Sequence, residues 1–246
     1  MDVDRRVEEL CERVTLVDGV GSLRRSELCV MSFVALLGGE RHTDHPANAS
    51  PLIRNFAIPI NDALPLGVRQ RLKPFAVRIV GTKDGCDRAR AEVLRQALAA
   101  EILPRIRRNW GAGQAAERCQ LPLGSLLAGA VGLVEAMGWV PERCMALLLA
   151  QLERGTPPGY EPCLGSAIGE LLARCMRDAT TQEQRGWYWD EAIILLDRLC
   201  DVGPQPCRQQ LVREEQITRA EQRLGSSWLG SFHRRLPAIG RAGQAF

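Results

Sequence analysis

The stretch LCVMSFVALLGGERHTDHPANASPLIRNFAIPINDALP, residues 28–65, decides the fold: an apolar run, a polar loop and a second apolar run follow one another. Residues 24–37 are apolar on nearly every side, which is typical of a central buried helix. Gly38 and Gly39 come directly after this run and suit a left-handed C-cap. The pattern therefore predicts a buried helix that ends at the glycine pair.

The second apolar run carries clear helix-start signals. Ser50 is a favoured N-cap residue, and Pro51 suits the first helical position because its missing N–H has no partner there in any helix. Leu64 and Pro65 interrupt the pattern. A second helix is therefore predicted from Pro51 to about Ala63, and the polar loop 38–50 connects it to the first.

Helical periodicity continues on both sides of this stretch. Helices are predicted at 2–17, 74–81, 86–103, 122–137, 141–154, 163–178, 187–200 and 206–223, with the basic, glycine-bearing connection PRIRRNWGAGQ between the third and the fourth. The predicted fold class is all-α, with an irregular multi-helix N-terminal part followed by antiparallel helical hairpins. The predicted domains are 1–105 with the GERHTDHP loop, a hairpin domain at 120–224, and a C-terminal tail at 225–246.

The composition of the chain indicates the cellular compartment and argues against a membrane span. The chain has 246 residues, 46% of them apolar and 25% charged, as is common in soluble globular proteins. Nine cysteines occur without a C-x-x-C pair, which favours free thiols in a reducing, cytoplasmic setting. The longest uncharged run, 119–134, is interrupted by glycines and is shorter than the ~20 apolar residues of a membrane span, so no membrane association is expected.

The loop sequence GERHTDHP concentrates polar side chains that could do chemistry. Glu40, His42, Asp44 and His45 could bind a divalent metal, since Glu, His and Asp are all metal ligands. Alternatively, Asp44 or Asp62 could orient His45 as a general base, which makes His45, Asp44 and Glu40 the catalytic candidates. A third reading is structural, because side chains in a loop before a helix often bind backbone N–H groups.

Asn61 and Asp62 at the end of the second helix extend this set, and they are the candidate ligand-binding residues. The stretch 29–65 resembles the N-terminal region of an uncharacterised bacterial family, frequent in actinobacteria and in phage-like sequences, with a pattern close to G-E-x-x-S-D-H-P…W-N-D-x-L-P. The matching residues are Cys29, Met31, Gly39, Glu40, Asp44, His45, Pro46, Pro51, Ile53, Phe56, Asn61, Asp62, Leu64 and Pro65.

Three positions depart from the family pattern. Ser32 replaces a glutamate, His42 replaces a frequent tryptophan, and Ile60 replaces the tryptophan before Asn-Asp. These departures put His42 outside any shared mechanism and remove a buried acid. The family has no assigned activity, so the resemblance implies site residues and no reaction.

A basic segment supplies one further functional candidate. Arg105, Arg107 and Arg108 could contact phosphate, with Trp110 as a stacking platform. The net charge of +3 is too small to argue for nucleic acid alone.

Three functions are therefore considered. The preferred one is a cytoplasmic helical interaction or regulatory protein without enzymatic activity, in a phage, mobile-element or defence setting, with a protein partner or a homo-oligomeric state. No cofactor is expected. The alternatives are a metal- or His-dependent hydrolase that uses Glu40, Asp44, His45 and Asp62, and an Arg-mediated nucleic-acid binder.

Overall fold

The computed structural model describes residues 3–110, 134, 138, 154–204 and 212–232, with side chains up to Gly225 in the last range. Its helices are α1 (Val3–Arg13), α2 (Val30–Leu37), α3 (Pro51–Ala63), α4 (Leu66–Arg69), α5 (Lys73–Ile79), α6 (Asp87–Ala97), α7 (Leu103–Trp110), α8 (Glu161–Asp178), α9 (Gln182–Asp201) and α10 (Glu214–Phe232). A π-helical segment, Leu98–Ile102, joins α6 to α7, and 3₁₀ turns lie at Leu23–Arg25 and Gln70–Leu72. The fold is mainly α, as predicted.

Three two-residue strands are the exception within the described residues. β3 (Glu27–Leu28) lies between β1 (Thr15–Leu16), to which it is parallel, and β2 (Gly21–Ser22), to which it is antiparallel. The helix predicted at 2–17 therefore ends at Arg13, and the helix predicted at 24–37 begins only at Val30. Strands of two residues are too short to produce an alternating pattern, so the sequence could not reveal them.

The two helices of the deciding stretch form as predicted. All eight residues of α2 are buried, and Gly39 adopts a left-handed φ of 75° after it. Ser50 is the N-cap of α3, where its Oγ accepts a hydrogen bond from the Ile53 N–H at 3.1 Å. Local signals were sufficient here because the caps lie next to the residues that they stabilise.

The segment PRIRRNW, predicted as a connection, is helical. The π segment runs directly into α7, and Pro104 lies in the first turn of α7. Proline has no N–H to donate to the carbonyl four residues back, and that carbonyl, at Ala100, lies in the π segment, where the regular α-helical ladder is already interrupted. Helix α6, the π segment and α7 thus form one continuous helical rod from Asp87 to Trp110, although the charged sequence did not indicate it.

The helices predicted after residue 110 fall partly inside and partly outside the residues that the structure describes. Helices α8 and α9 cover the predicted 163–178 and 187–200 and extend them, while the helices predicted at 122–137 and 141–154 lie outside the described residues apart from Val134 and Arg154. Helix α10 begins at Glu214 and continues to Phe232, so the predicted tail is helical at 225–232, while positions 206–211 of the predicted helix lie outside the described residues. The domain division near 105–120 stays a prediction.

Helices α3 and α8 pack in parallel at very short distance through two glycines. A Cβ added to Gly165 would lie 2.5 Å from the Leu52 carbonyl oxygen, and one added to Gly169 would lie 2.8 Å from the Phe56 carbonyl oxygen. Asn55 also donates a hydrogen bond from Nδ2 to the Pro162 carbonyl oxygen at 3.1 Å. Because only glycine has no Cβ, the spacing G-x-x-x-G lets the two backbones touch.

A buried arginine ties the end of α9 to the start of α6. Arg90 is fully buried and donates to both carboxylate oxygens of Asp84 at 2.7 Å and to Asp87 at 3.1 Å. It also donates to the carbonyl oxygens of Leu199 at 3.2 Å and Val202 at 2.8 Å. Arg90 therefore donates hydrogen bonds to carbonyl groups at the C-terminus of α9. These groups need an outside donor because no further helical turn supplies N–H groups to them.

Candidate functional site

Glu40 closes the loop between α2 and α3. Its Oε2 accepts a hydrogen bond from the Ala47 N–H at 2.7 Å, and its Oε1 accepts one from the Asn48 N–H at 3.0 Å. Its carbonyl oxygen accepts a hydrogen bond from Arg223 of α10. Both carboxylate oxygens thus bind backbone groups of the same loop, which is the structural role that a loop carboxylate often takes.

The two histidines of the loop point to different neighbours. His42 is exposed, and its Nε2 lies 3.2 Å from the Val20 carbonyl oxygen. His45 is 61% exposed, and its Nδ1 lies 2.6 Å from Asp44 Oδ1. Asp44 therefore orients the His45 ring, an arrangement that general-base catalysis also uses.

Asn61 is the buried centre of the cluster. Its side chain has no exposed surface. Its Oδ1 accepts a hydrogen bond from the Val30 N–H at 3.1 Å, and its Nδ2 donates to the Val17 carbonyl oxygen at 2.9 Å and to Asp62 Oδ1 at 3.0 Å. Asn61 thus binds the first residue of α2 and the chain after β1 to the last turn of α3.

Asp62 and Arg69 form further hydrogen bonds to backbone groups near the end of α3. Asp62 Oδ1 also accepts a hydrogen bond from the Gly19 N–H at 3.0 Å. The buried Arg69 donates to the carbonyl oxygens of Asn61 at 2.7 Å and Leu64 at 2.8 Å. The last carbonyl groups of α3, which lack partners within the helix, are satisfied in this way.

A small cavity lies beside the cluster, with a volume of about 30 Å³. Its lining includes Asp44, Asn61, Asp62 and Cys29 but not His45. A volume of this size holds about one water molecule, and it is much smaller than the ~300–1,000 Å³ of sites that bind small organic ligands. The cavity thus collects two of the predicted carboxylates and the predicted amide in a space too small for an organic substrate.

Among the described cysteines, Cys29 is the one that lines this cavity. It is the N-cap of α2, where its Sγ accepts a hydrogen bond from the Ser32 N–H at 3.2 Å. Burial raises the pKa of the Cys29 thiol, and the hydrogen bonds from Ser32 oppose this only in part. The thiol is therefore not activated as a nucleophile.

The predicted metal ligands do not converge. Within the part of the chain that the structure describes, no three His, Cys, Asp or Glu side chains come together in a way that could hold a metal ion. Glu40 binds backbone N–H groups at one end of the loop, while His42 lies beside Val20 and His45 pairs with Asp44. Only Asp44 and Asp62, with Asn61, share the small cavity.

The predicted phosphate-binding arginines differ in availability. Arg105 stacks on the Trp187 ring, with its guanidinium carbon 5.1 Å from the ring centroid, and its Nε is buried without a hydrogen bond. Nη1 of Arg107 is also buried without a partner, whereas Arg108 is exposed. Arg105 is thus engaged in packing on α9 and Arg107 is partly buried, which reduces the surface that these two cations offer to a nucleic acid.

Comparisons of the chain with protein-family models, curated proteins and solved structures find no match. Among the residues described, no helix combines the length and the apolar character needed to cross a bilayer. Six cysteines in the described ranges are free thiols: Cys11, Cys29, Cys86, Cys163, Cys175 and Cys200.

Sequence reasoning missed one site of unusual electrostatics. Burial and the neighbouring carboxylate of Glu101, in the π segment, together raise the pKa of Glu191 of α9, and Arg198 binds Glu101. The two glutamates are 90 positions apart in the chain, and neither belongs to a motif. Only the packing of the helical rod 87–110 on α9 brings them together.

Proposed function

We propose that this protein is a helical interaction or regulatory protein of the bacterial cytoplasm, in a phage, mobile-element or defence setting, and that residues 40–62 hold its fold together. The free thiols at the described cysteines support a reducing compartment. The observation that carries the architectural reading is the use of the cluster's polar atoms: Glu40, Asn61 and Asp62 all bind backbone groups of other segments.

A groove between α1 and α5 is the surface best suited to a partner. Its volume is about 500 Å³, and its apolar lining is Val3, Val7, Cys11, Pro74, Val77 and Val212. The three residues from α1 recur every four positions and are only partly buried, while Leu10 and Arg6 of the same helix are buried against the rest of the fold. Helix α1 therefore has a second apolar face that the core does not fully use.

The groove fits one kind of partner, an amphipathic helix of another protein. The stripe from Val3 to Cys11 covers nine residues, whose eight steps of 1.5 Å give a length of about 12 Å. This length matches two turns of a docked helix with apolar residues three or four positions apart. The two charged residues in the lining, Asp4 and Glu8, are both acidic. Charge complementarity thus favours a partner helix with Lys or Arg beside its apolar stripe.

Selection from a displayed library of 18-residue helical peptides tests this proposal. We expect the enriched peptides to combine an i, i+3/i+4, i+7 apolar pattern with positive charge. Val7→Asp should weaken their binding at least tenfold, because it puts a third carboxylate into the apolar floor. Val20→Asp is the matched control, since Val20 is an exposed valine outside the groove, and it should bind like the wild type.

Two results would overturn the groove as the partner site. One is enrichment of acidic peptides or of none. The other is a dimer of the wild-type chain, seen by sedimentation at micromolar concentration, that Val7→Asp converts to a monomer; a second copy would then be the occupant.

The hydrolase alternative depends on the Asp44–His45 pair at 2.6 Å. Two features weigh against it: His45 does not line the neighbouring cavity, and the thiol that does is not activated. The nucleic-acid alternative has Arg108 as its one exposed candidate among the three predicted arginines, and it is the weakest of the three.

A further inference from the structure

The Glu101–Glu191 pair lies at an irregular point of the fold. Glu101 belongs to the π segment Leu98–Ile102, which interrupts the rod between α6 and α7. Single π turns of this kind interrupt regular hydrogen bonding and are frequent at functional positions. Glu191 comes from the facing helix α9, so the pair connects the interrupted segment to a long regular helix.

The surroundings of the two carboxyl groups are unequal. Glu191 is 94% buried, and its Oε1 has no hydrogen-bond partner. Glu101 is half-buried and accepts two hydrogen bonds from the Arg198 guanidinium, at 2.7 and 3.2 Å. Arg198 therefore holds Glu101 in its ionised form, whereas burial opposes ionisation of Glu191.

We propose that Glu101 and Glu191 form a proton-operated latch: protonated Glu191 donates a hydrogen bond to the Glu101 carboxylate and holds the π segment on α9, and loss of that proton loosens the segment. Without the proton, two negative charges would face each other next to a single arginine. Breaking one half of a buried, hydrogen-bonded carboxyl pair leaves an uncompensated charge, which is costly.

The charged groups around Glu191 are consistent with this assignment. From the π segment, Glu101 faces it, and from α9 itself, Arg198 does; the electrostatic effects on Glu191 within the described residues come from these two groups. Burial, followed by the charge and hydrogen bond of Glu101, raises the pKa of Glu191 to about 7, and Arg198 opposes this only weakly. The hydrogen bond from Arg198 is the main reason that the pKa of Glu101 is lowered.

The sign of the pH effect follows from these directions. The pKa of Glu191 in the folded protein, about 7, exceeds that of an unfolded glutamate, about 4.3. The folded state thus binds one more proton than the unfolded state between these values, so its stability falls as pH rises through this window. The unfolding equilibrium constant should increase about tenfold per pH unit there and level off above pH 7.

The loosening should be local, because the far end of α7 has its own contacts with α9. Asn109 Nδ2 donates to the Tyr188 hydroxyl at 2.9 Å, and the Trp110 and Tyr188 rings are 5.7 Å apart. These contacts contain no group that titrates between pH 5 and 8. The π segment and the first turn of α7 are therefore the parts expected to respond.

Hydrogen exchange at pH 6 and pH 8, corrected for intrinsic rates, tests the latch. In the wild type, we expect protection of residues 98–104 to be about tenfold lower at pH 8 than at pH 6, with no matching change in α8. Glu191→Gln, which keeps the shape and donates from its amide at every pH, should abolish the change. Glu183→Gln, at an exposed position of the same helix, should respond like the wild type.

A second measurement keeps the proposal testable if Glu191→Gln fails to fold. Side-chain ¹³C-carboxyl NMR of the wild-type chain with labelled glutamate should give one resonance that titrates near pH 7. The latch is overturned if every glutamate titrates below about pH 5.5, or if protection at 98–104 changes equally in the wild type and in Glu191→Gln.

Discussion

Replacement of Arg90 by methionine is expected to lower the free energy of unfolding by about 3 kcal/mol or more. Methionine fills similar space but donates no hydrogen bond. Asp84 and Asp87 would lose their shared cation, and the Leu199 and Val202 carbonyl oxygens would lose a donor. Leaving a buried acceptor without a partner costs more than the original bond contributed. Urea unfolding followed by circular dichroism measures the change.

Arg88→Met is the matched control for this prediction. Arg88 lies on the same helix, and its side chain is exposed, so the change should stay within about 0.5 kcal/mol of the wild type. Equal unfolding midpoints for the two variants would contradict a structural role for Arg90. The contribution of Arg90 to stability should also depend on pH. Burial raises the pKa of Asp84, but the hydrogen bond and charge of Arg90 outweigh burial and keep this pKa below its usual value. The wild type should therefore lose this contribution as pH falls below the usual aspartate range.

The second large effect is expected at the contact of α3 with α8. Gly165→Ala should destabilise the protein by about 2–3 kcal/mol, because its methyl group would lie 2.5 Å from the Leu52 carbonyl oxygen. That oxygen belongs to the backbone of a buried helix and cannot rotate away, so the two helices must separate. Thermal unfolding of the purified variant measures the loss.

Gly186→Ala is the control that isolates the contact from helix propensity. Gly186 lies within α9, and nothing lies within 4 Å of the position that its Cβ would take. Alanine is a better helix former than glycine, so this change should stabilise by about 0.5–1 kcal/mol. The two Gly→Ala variants are thus expected to shift the unfolding temperature in opposite directions. A shift in the same direction would contradict close packing at Gly165.

Local signals in the sequence predicted the parts of the fold that local interactions determine. Ser50, Pro51 and Gly39 cap or begin helices through atoms within a few residues, and these predictions are confirmed. The short strands at 15–16 and 27–28 were missed, because their pairing depends on a partner strand twelve residues away. The helical character of PRIRRNW was missed because the segment is basic and was interpreted, together with the glycines that follow it, as a connection.

The candidate site was predicted only in part. The sequence predicted Asp44, Asn61 and Asp62 as candidate site residues, and in the structure all three line one small cavity. The sequence allowed a structural role for the loop side chains, but which backbone groups the Glu40 oxygens bind depends on how the loop closes. The Glu101–Glu191 pair and the Gly165 contact required the packing of distant helices. The G-x-x-x-G spacing was a visible signal for the latter.

Urea unfolding of Asn61→Ala is the most direct test of an architectural role for residues 40–62, with His45→Ala as the control. Asn61 is fully buried between the Val30 N–H and the Val17 carbonyl oxygen, and leaving both unpaired should cost about 2 kcal/mol or more. His45 is exposed, so its replacement should change the free energy of unfolding by less than about 0.5 kcal/mol. An Asn61→Ala protein as stable as the wild type would contradict the architectural role.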